Sequence, residues 1–181
     1  PHASLLEHDQ LDVVYIATTN ERHHLDAHAC VAAGIPALVE KPFAMDAATA
    51  RTVFEAATRA GVFVAEAMWM RLQPANRRLH AELAAGTIGP PVALHAAFGV
   101  LLDPDPTRRW RSAELGGGAL LDLGVYPATL AHDLLGPAGR VRATGELGET
   151  GVDLNVAVVV EHERGTATWR CSFTDASGVW A

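Results

Sequence analysis

A carboxylate, an ammonium and a proline follow directly after a short apolar run. A binding site or an enzyme could use these groups at that position. The run Leu38-Val39 ends in Glu40-Lys41-Pro42. In open α/β sheets the carboxyl ends of the strands face the ligand crevice. Lys41 could there hydrogen-bond a substrate hydroxyl or steer a proton, and Pro42 fixes the backbone beside it. A surface lysine with its ion-pair partner in a βα loop is an equally good interpretation of these three residues alone.

A second set of polar residues lies within a strongly apolar helix predicted over Ala119–Leu135. Polar side chains recur there at helical spacing and share one helix face; they are Asp122, Tyr126, Thr129 and Asp133. For Thr129 and Asp133 a solvated helix face is the preferred interpretation. Asp122 and Tyr126 occupy the opening turns, directly after Gly116–Gly118, and this position favours a role in a site.

Tyr126 and Lys41 together suggest acid/base chemistry. An ammonium close to a phenol stabilises the phenolate and makes a tyrosine usable as a proton acceptor near neutral pH. Lys41 could serve Tyr126 in this way if their two segments face each other, which the sequence alone leaves open. Pro127 removes a helical donor, so a local kink beside Tyr126 is predicted.

The order of predicted elements places the first candidate group on a parallel sheet. Apolar, β-branched runs alternate with helical segments in the order β-α-β-α-β, as in one half of a dinucleotide-binding Rossmann-type domain. Strands are predicted over residues 11–17, 36–39 and 62–65, the first of them buried on both faces, and helices over 23–33 and from the N-cap Asp46. No Gly-x-Gly-x-x-Gly follows a strand, and Gly116–Gly118 indicates a flexible lead into a helix.

The remaining chain predicts a second unit with more strands than helices. A helix is predicted over residues 74–85, and strands over 92–100, 141–147, 153–161 and 166–173, separated by glycine-containing turns. This pattern suggests an antiparallel meander. The predicted domains are therefore residues 1–67 and 68–181. The chain starts at Pro1 and ends at Trp180-Ala181 without a closing element, which suggests a fragment of a longer protein.

Composition and charge exclude several classes of function. The 181 residues are 49% hydrophobic and carry a formal charge of -7, so a nucleic-acid partner is not expected. No apolar run reaches the roughly 20 residues that cross a bilayer, and no signal peptide is visible. The two cysteines, Cys30 and Cys171, are typical of buried thiols in a reducing compartment, which predicts a cytoplasmic protein.

Other candidate sites have weaker support. His24 and His28 stand four residues apart and could bind zinc from one helix face, but no third ligand is apparent and no metal is expected. His23, at the top of a strand, is a better ligand-facing candidate. Three arginines, Arg108, Arg109 and Arg111, could clamp an anion or form a solvated basic loop. No Gly-x-Ser-x-Gly supports a hydrolase.

Read together, the motifs resemble the glucose–fructose oxidoreductase, inositol dehydrogenase and MocA family. The matching segments are Ile16-Ala17-Thr18-Thr19-Asn20-x-x-His23, Ala33-Gly34-x-Pro36 and Glu40-Lys41-Pro42. The segments Glu66–Arg71 and Gly116–Tyr126 are similar to the dihydrodiol dehydrogenase branch of this family. The resemblance extends over nearly the whole chain, with the motifs in the family's order.

The resemblance implies a fold and a site. The expected fold is α/β: the C-terminal half of a Rossmann-type parallel sheet domain, followed by part of an α+β domain with an open, mainly antiparallel sheet. By similarity, Lys41, Tyr126 and Asp122 are catalytic, with Tyr126 as the acid/base and Asp122 on the substrate side. The implied cofactor-binding residues are Thr18, Asn20, His23, Glu40, Lys41, Pro42, Trp69, Arg71 and Trp110.

The implied function is hydride transfer between a nicotinamide cofactor, NADP or NAD, and a secondary alcohol of a sugar, cyclitol or trans-dihydrodiol. The exposed sheet face of the family commonly forms the subunit interface, so a homodimer or homotetramer is expected, with no membrane partner. Two other functions remain open on the same fold. One is a non-catalytic nucleotide- or sugar-sensing protein, and the other is an NAD-dependent glycosidase that oxidises its substrate transiently.

Overall fold

The computed structural model describes residues 2–7, 11–176 and 178–181, which fall into two compact units. The first contains the described residues up to Met68 together with Glu114–Gly116, and the second contains Trp69–Ala113 and the described residues from Gly117 onward. Among the described residues, no helix combines the length and apolar character needed to cross a membrane.

The first unit is a three-stranded parallel sheet with helices. Its strands are β1 (Val14–Ile16), β2 (Ala37–Val39) and β3 (Val64–Glu66), hydrogen-bonded in that order. Its helices are α1 (His2–Leu5), α2 (His23–Ala32) and α3 (Ala47–Ala60), and a 3₁₀ turn over Asn20–Arg22 precedes α2. This order confirms the β-α-β-α-β pattern predicted from the alternating apolar runs.

Within the described residues, β1 does not show the burial on both faces that its sequence predicts. Ile16 and Val39 are buried against residues of α2 and α3, whereas the side chains that alternate with them are open. Tyr15 is 57% exposed and its register partner Leu38 is 36% exposed. Because neighbouring strand residues point to opposite faces, the sheet is covered on one face only in the described residues.

The ends of α3 follow from local chemistry, and its N-cap is the predicted one. The carboxylate of Asp46 accepts a hydrogen bond from the Thr49 backbone N–H at 2.8 Å, which is the geometry of an N-cap. Gly61 closes the helix with φ at +66°, a conformation that glycine adopts at no steric cost.

The second unit is a mixed five-stranded sheet with helices. The strands are β4 (Ala93–Gly99), β5 (Ala138–Leu147), β6 (Asp153–His162), β7 (Gly165–Ser172) and β8 (Gly178–Trp180). They are paired in the order β5-β6-β7-β4-β8, and only β4 with β7 is parallel among these pairs. The mainly antiparallel sheet expected from the family is thus confirmed.

Helical segments connect the strands of the second unit. They are α4 (Pro74–Ala84), α5 (Val125–Leu135), 3₁₀ turns over Trp69–Leu72 and Arg109–Arg111, and a π-helical turn over Leu120–Gly124. Residues of the π-helical turn and α5 share a core with the inner face of the sheet, including Leu123, Leu135 and Trp169. Pro127 lacks an N–H, so regular α bonding to Leu123 cannot form, and the irregular turn lies where the kink was predicted.

Both cysteine thiols are buried and free, as predicted. Burial, with a smaller contribution from the charge of Asp153, raises the pKa of the Cys171 thiol to about 12. Burial and the charge of Asp26 also raise the pKa of Cys30. Neither thiol is therefore a nucleophile near neutral pH.

Candidate active site

The Glu40-Lys41-Pro42 segment leaves the carboxyl end of β2 with its backbone held at several points. The Glu40 N–H donates to the Ile16 carbonyl at 2.8 Å, which continues the pairing of β2 with β1. The Phe43 N–H donates to the Glu66 carboxylate at 2.9 Å. Lys41 itself is half-buried, and it is the single lysine among 14 basic residues of the sequence. Since arginine occupies every other basic position, a generic surface charge explains this lysine poorly.

His23 fastens this segment to the end of β1. The imidazole is 1% exposed, with Nδ1 2.7 Å from the Pro42 carbonyl oxygen and Nε2 3.1 Å from the Thr18 carbonyl oxygen. The expectation that His23 faces a ligand is therefore corrected, because both ring nitrogens already meet backbone oxygens. The side chain instead holds together two loops that follow neighbouring parallel strands.

Asn20 is also buried and bonded to a backbone oxygen. Its side chain is 4% exposed, and Nδ2 donates to the Gly116 carbonyl at 2.8 Å, within the first unit. This bond uses one donor of the amide within the protein, and the assignment of Asn20 to the cofactor stays a prediction. Thr18 remains half-buried, with its hydroxyl donating to Asp26 at 2.8 Å.

The glycine run is bonded more firmly than a flexible lead would be. The Gly117 N–H donates to the Ser112 carbonyl at 2.8 Å, and the Gly118 N–H donates to the Trp110 carbonyl at 3.1 Å. Gly116 and Gly118 have φ of +73° and +121°, which other residues rarely adopt. Because these two N–H groups are taken, the run is a fixed turn and offers no phosphate cradle there.

Two side chains of the first unit have roles that the motifs did not reveal. The Tyr15 hydroxyl donates to Glu40 Oε1, and Glu66 accepts from the Phe43 N–H. Tyr15 lies in an apolar strand run, and Glu66 is the last residue of β3. The sequence motifs assigned neither residue a role of this kind. Their common signal is position, since both lie on strands adjacent to β2.

In the second unit, Tyr126 lies in the first turn of α5 between two aromatic side chains. The Trp69 indole N–H donates to the Tyr126 oxygen at 2.9 Å, with the two rings in edge-to-face contact at 5.5 Å between centroids. The centroid of the Phe98 ring lies 5.1 Å from the centroid of the Tyr126 ring. These contacts fix the phenol ring, and Tyr126 as a whole is half-buried. Trp69, carried over by resemblance as a cofactor contact, here bonds the candidate acid/base.

Arg71 and Asp133 form a two-point ion pair in this unit. Arg71 Nε and Nη2 lie 2.8 and 2.7 Å from the two carboxylate oxygens of Asp133. The interpretation of Asp133 as part of a solvated helix face is wrong, because its side chain is only 16% exposed and fully paired. The guanidinium of Arg71 is likewise engaged with protein, which weakens its assignment to the cofactor.

Asp122 lies in the π-helical turn, near a basic residue. Arg109 Nη2 is 3.9 Å from Asp122 Oδ1, a distance that gives a weak ion pair. The turn is anchored at its start, since the Leu120 N–H donates to the Asp153 carboxylate at 2.6 Å. A Cβ on Gly118 would collide with that same carboxylate. The turn therefore presents Asp122 from a fixed backbone.

The arginines of the basic loop 108–111 do not share one partner. Arg108 donates to Asp103 at 2.9 Å and lies over the Trp110 ring, and the Trp110 indole donates to the Asp103 carbonyl at 3.2 Å. Arg111 is buried, unlike its neighbours Arg108 and Arg109. These partners favour a structural loop over an anion clamp.

The histidine pair of α2 is not part of a metal cluster in the described residues. His28 Nε2 lies 3.1 Å from the Thr52 hydroxyl of α3, and no group of three potential ligands converges anywhere in the described part of the chain. The zinc alternative has no support from this geometry.

Comparison with known proteins places both units in one family. Residues 76–179, more than half of the chain, match the GFO/IDH/MocA C-terminal domain, and residues 1–68 match the oxidoreductase family with an NAD-binding Rossmann fold. The chain belongs to the GFO/IDH/MocA family.

Individual relatives of this GFO/IDH/MocA chain agree with the branch suggested by the motifs. A trans-1,2-dihydrobenzene-1,2-diol dehydrogenase of Mus musculus is 35% identical over 96% of this chain and 52% of its own length. An NAD binding oxidoreductase from Klebsiella pneumoniae has a TM-score of 0.90 at 30% identity, over 99% of this chain and 53% of its own. A mutant 3-ketoreductase from Actinomadura kijaniata, in complex with TDP-benzene and NADP, has a TM-score of 0.82 at 28% identity. The match covers 96% of this chain and 54% of the ketoreductase chain. The GFO/IDH/MocA chain thus spans about half the length of the relatives it matches.

Proposed function

We propose that this chain is part of an NAD(P)-dependent dehydrogenase that oxidises a secondary alcohol of a sugar, a cyclitol or a trans-dihydrodiol. The observation that carries the proposal is the Tyr126 hydroxyl, held by the Trp69 indole and two aromatic contacts in a family of oxidoreductases. Lys41, at the end of a parallel strand in the NAD-binding unit, supplies the second candidate group.

Each candidate residue has one chemical task. Tyr126 accepts the proton of the reacting hydroxyl, and the indole N–H of Trp69 can remain bonded to its oxygen before and after that transfer. The Lys41 ammonium hydrogen-bonds the reacting oxygen and favours loss of its proton. Asp122 orients the substrate by accepting a hydrogen bond from a neighbouring hydroxyl. The bound nicotinamide supplies the hydride acceptor.

The residues at the carboxyl ends of β1 and β2 fit a dinucleotide in part. Thr18, Glu40 and Lys41 are half-buried there and remain candidates for cofactor contacts, with Pro42 fixing the backbone directly after Lys41. Asn20 and His23 are buried and serve the site by fixing these loops. The choice between NADP and NAD is left to experiment, since one solved relative is in complex with NADP and another is in complex with NAD.

Two variants of the full-length protein test the assignment. Lys41→Met and Tyr126→Phe each keep the approximate shape of the side chain and remove the reacting group, so we expect losses of turnover of about 100-fold or more. Activity is followed by reduced-nicotinamide absorbance, with NAD and NADP offered separately against sugars, inositols and dihydrodiols. Thr52→Val, which removes a hydroxyl on α3, is the matched control. Unchanged turnover in either variant would contradict the mechanism.

The alternatives predict different outcomes in the same assay. A sensing protein would bind cofactor, as seen by quenching of tryptophan fluorescence, without turning over any polyol. An NAD-dependent glycosidase would release a free sugar without net accumulation of reduced cofactor. The retention of both Lys41 and Tyr126 favours the dehydrogenase over the sensing protein.

A further inference from the structure

We propose that Tyr15 is a positioning residue for Lys41, acting through the carboxylate of Glu40. This inference rests on the proposed function, because it gives Tyr15 a role in placing the ammonium that serves the reaction. It concerns only residues of the first unit.

The carboxylate of Glu40 is bonded at both oxygens. Oε1 accepts the hydroxyl hydrogen of Tyr15, and Oε2 accepts the backbone N–H of Lys41 at 3.0 Å. Glu40 therefore joins a side chain of β1 to the backbone of the lysine. A carboxylate held at one oxygen only could rotate and release that N–H, so the hydroxyl of Tyr15 determines whether the second bond keeps its geometry.

The hydroxyl of Tyr15 has a defined partner, whereas the residue is largely exposed in the described part of the chain. The residue is 57% exposed and its β2 register partner is Leu38, so apolar burial accounts for little of its contribution. The hydrogen bond to Glu40, together with desolvation and the neighbouring charge, raises the pKa of the Tyr15 phenol. A phenol with a raised pKa stays protonated and keeps donating to Glu40 across the neutral range.

Lys41 is held on its other side by an independent contact. The Pro42 carbonyl faces Nδ1 of His23 at 2.7 Å, and that imidazole is buried. The lysine backbone thus lies between one group fixed by Tyr15 and another fixed by His23. Removing the Tyr15 hydroxyl frees one side while the other stays in place, so the segment loosens without unfolding.

The decisive variant is Tyr15→Phe in the full-length protein, because it removes only the hydroxyl. We expect kcat to fall about tenfold, the size associated with one hydrogen bond to a charged group, while KM for the alcohol changes less than about twofold. In Glu40→Ala the acceptor is absent, so adding Tyr15→Phe should change kcat no further. Additive losses in the double variant would overturn the proposal. Thr52→Val removes a similarly exposed hydroxyl that contacts His28 and should leave kcat unchanged.

A spectroscopic measurement tests the bond without relying on turnover. The difference in phenolate absorbance between the parent and Tyr15→Phe isolates the titration of Tyr15. We expect its midpoint above the ordinary value of 10.0, and a shift back toward that value in Glu40→Ala. An ordinary midpoint in the parent would overturn the proposal.

The two proposals fail in distinguishable ways. If Lys41→Met is inactive and Tyr15→Phe is fully active, the dehydrogenase assignment stands and the positioning role is wrong. If Lys41→Met retains full turnover, Lys41 has no task for Tyr15 to support, and both the mechanism and the positioning role are wrong, even where the titration shows the bond to Glu40.

Discussion

The indole N–H of Trp69 donates a hydrogen bond to the oxygen of Tyr126, so its removal probes that oxygen directly. Trp69→Phe keeps an aromatic ring against Tyr126 and deletes the donor. We expect kcat to fall about five- to tenfold, since one hydrogen bond typically contributes about 1 kcal/mol. The melting temperature should change little, because Trp69 is 47% exposed.

Trp180→Phe is a suitable comparison for that variant. Trp180 is 50% exposed and lies in β8 of the same unit, far from Tyr126 in the sequence. It should leave kcat and KM unchanged. Equal kinetics of the two tryptophan variants would show that the indole N–H does not assist Tyr126.

Residue types near strand ends indicated a candidate site, but not which of the side chains there are buried. Asn20 and His23 follow β1 as ligand-facing residues would, and both are buried. The partner of Asn20 is Gly116, 96 residues away, and that of His23 is Pro42. No local pattern distinguishes a polar side chain that binds a ligand from one that binds a distant carbonyl, so this part of the site required the structure.

At the scale of elements, the π-helical turn depends on the space beside Gly118. Gly118→Ala would place a methyl group against the Asp153 carboxylate that caps the Leu120 N–H. We expect a loss of more than about 2 kcal/mol in the free energy of unfolding, from strain at a positive φ plus displacement of the cap. Denaturant unfolding measures this loss.

Gly151→Ala separates the two contributions. Gly151 also has a positive φ, +82°, but a Cβ there meets nothing within 4 Å. Gly151→Ala should therefore lower the free energy of unfolding by the backbone strain alone, about 1 kcal/mol. Similar losses in the two alanine variants would mean that Asp153 moves aside and that the cap is not essential to the turn.

The cap of α3 makes a prediction about acid stability. The Thr49 backbone N–H and then its hydroxyl hold the pKa of the Asp46 carboxyl below its ordinary value of 3.8. A carboxyl with a lowered folded pKa stabilises the protein above its unfolded pKa, and this contribution disappears as the pH falls through the folded value. Asp46→Ala should therefore lower the melting temperature by a few degrees at pH 7 and by less near pH 3.

Asp46→Asn is the matched variant for this measurement. Asparagine caps helices as well as aspartate does but carries no titrating carboxylate. Its melting temperature should stay near the parent value at pH 7, without the acid-dependent loss at this position. An equal drop for the alanine and asparagine variants at pH 7 would show that charge, and not capping, is the main contribution.

The ends of α3 and the position of the irregular turn could be predicted because single residues cause them. The burial of a strand face could not be predicted in this way. Asp46 and Gly61 mark the ends of α3 by residue type alone, and Pro127 marks the irregular turn. The one-sided burial of β1 depends on which parts of the protein pack against it, and an apolar strand reads the same whether one or both faces are covered. The alternation of exposed Tyr15 and buried Ile16 is visible only in the structure.

At the scale of the whole molecule, the outer face of the five-stranded sheet is the surface that the family resemblance assigns to a second copy. All ten residues of the edge strand β5 are exposed. A shallow cavity of about 460 Å³ lies on the sheet between residues that include Arg142, Val159, Thr168 and Trp180. Long exposed edge strands tend to pair or be covered, and the expected homodimer or homotetramer stays a prediction for this surface.

Val159→Arg tests that assembly. Val159 is 44% exposed in the middle of β6, and an arginine there would bring like charges together across a homotypic interface, next to Arg142 of β5. We expect the full-length parent to sediment as a dimer or tetramer and the variant to sediment as a smaller species. Val92→Arg adds the same charge at a 74% exposed valine outside the strands and should leave the assembly intact. A monomeric parent, or an assembly that tolerates arginine at position 159, would place the subunit contact on another surface.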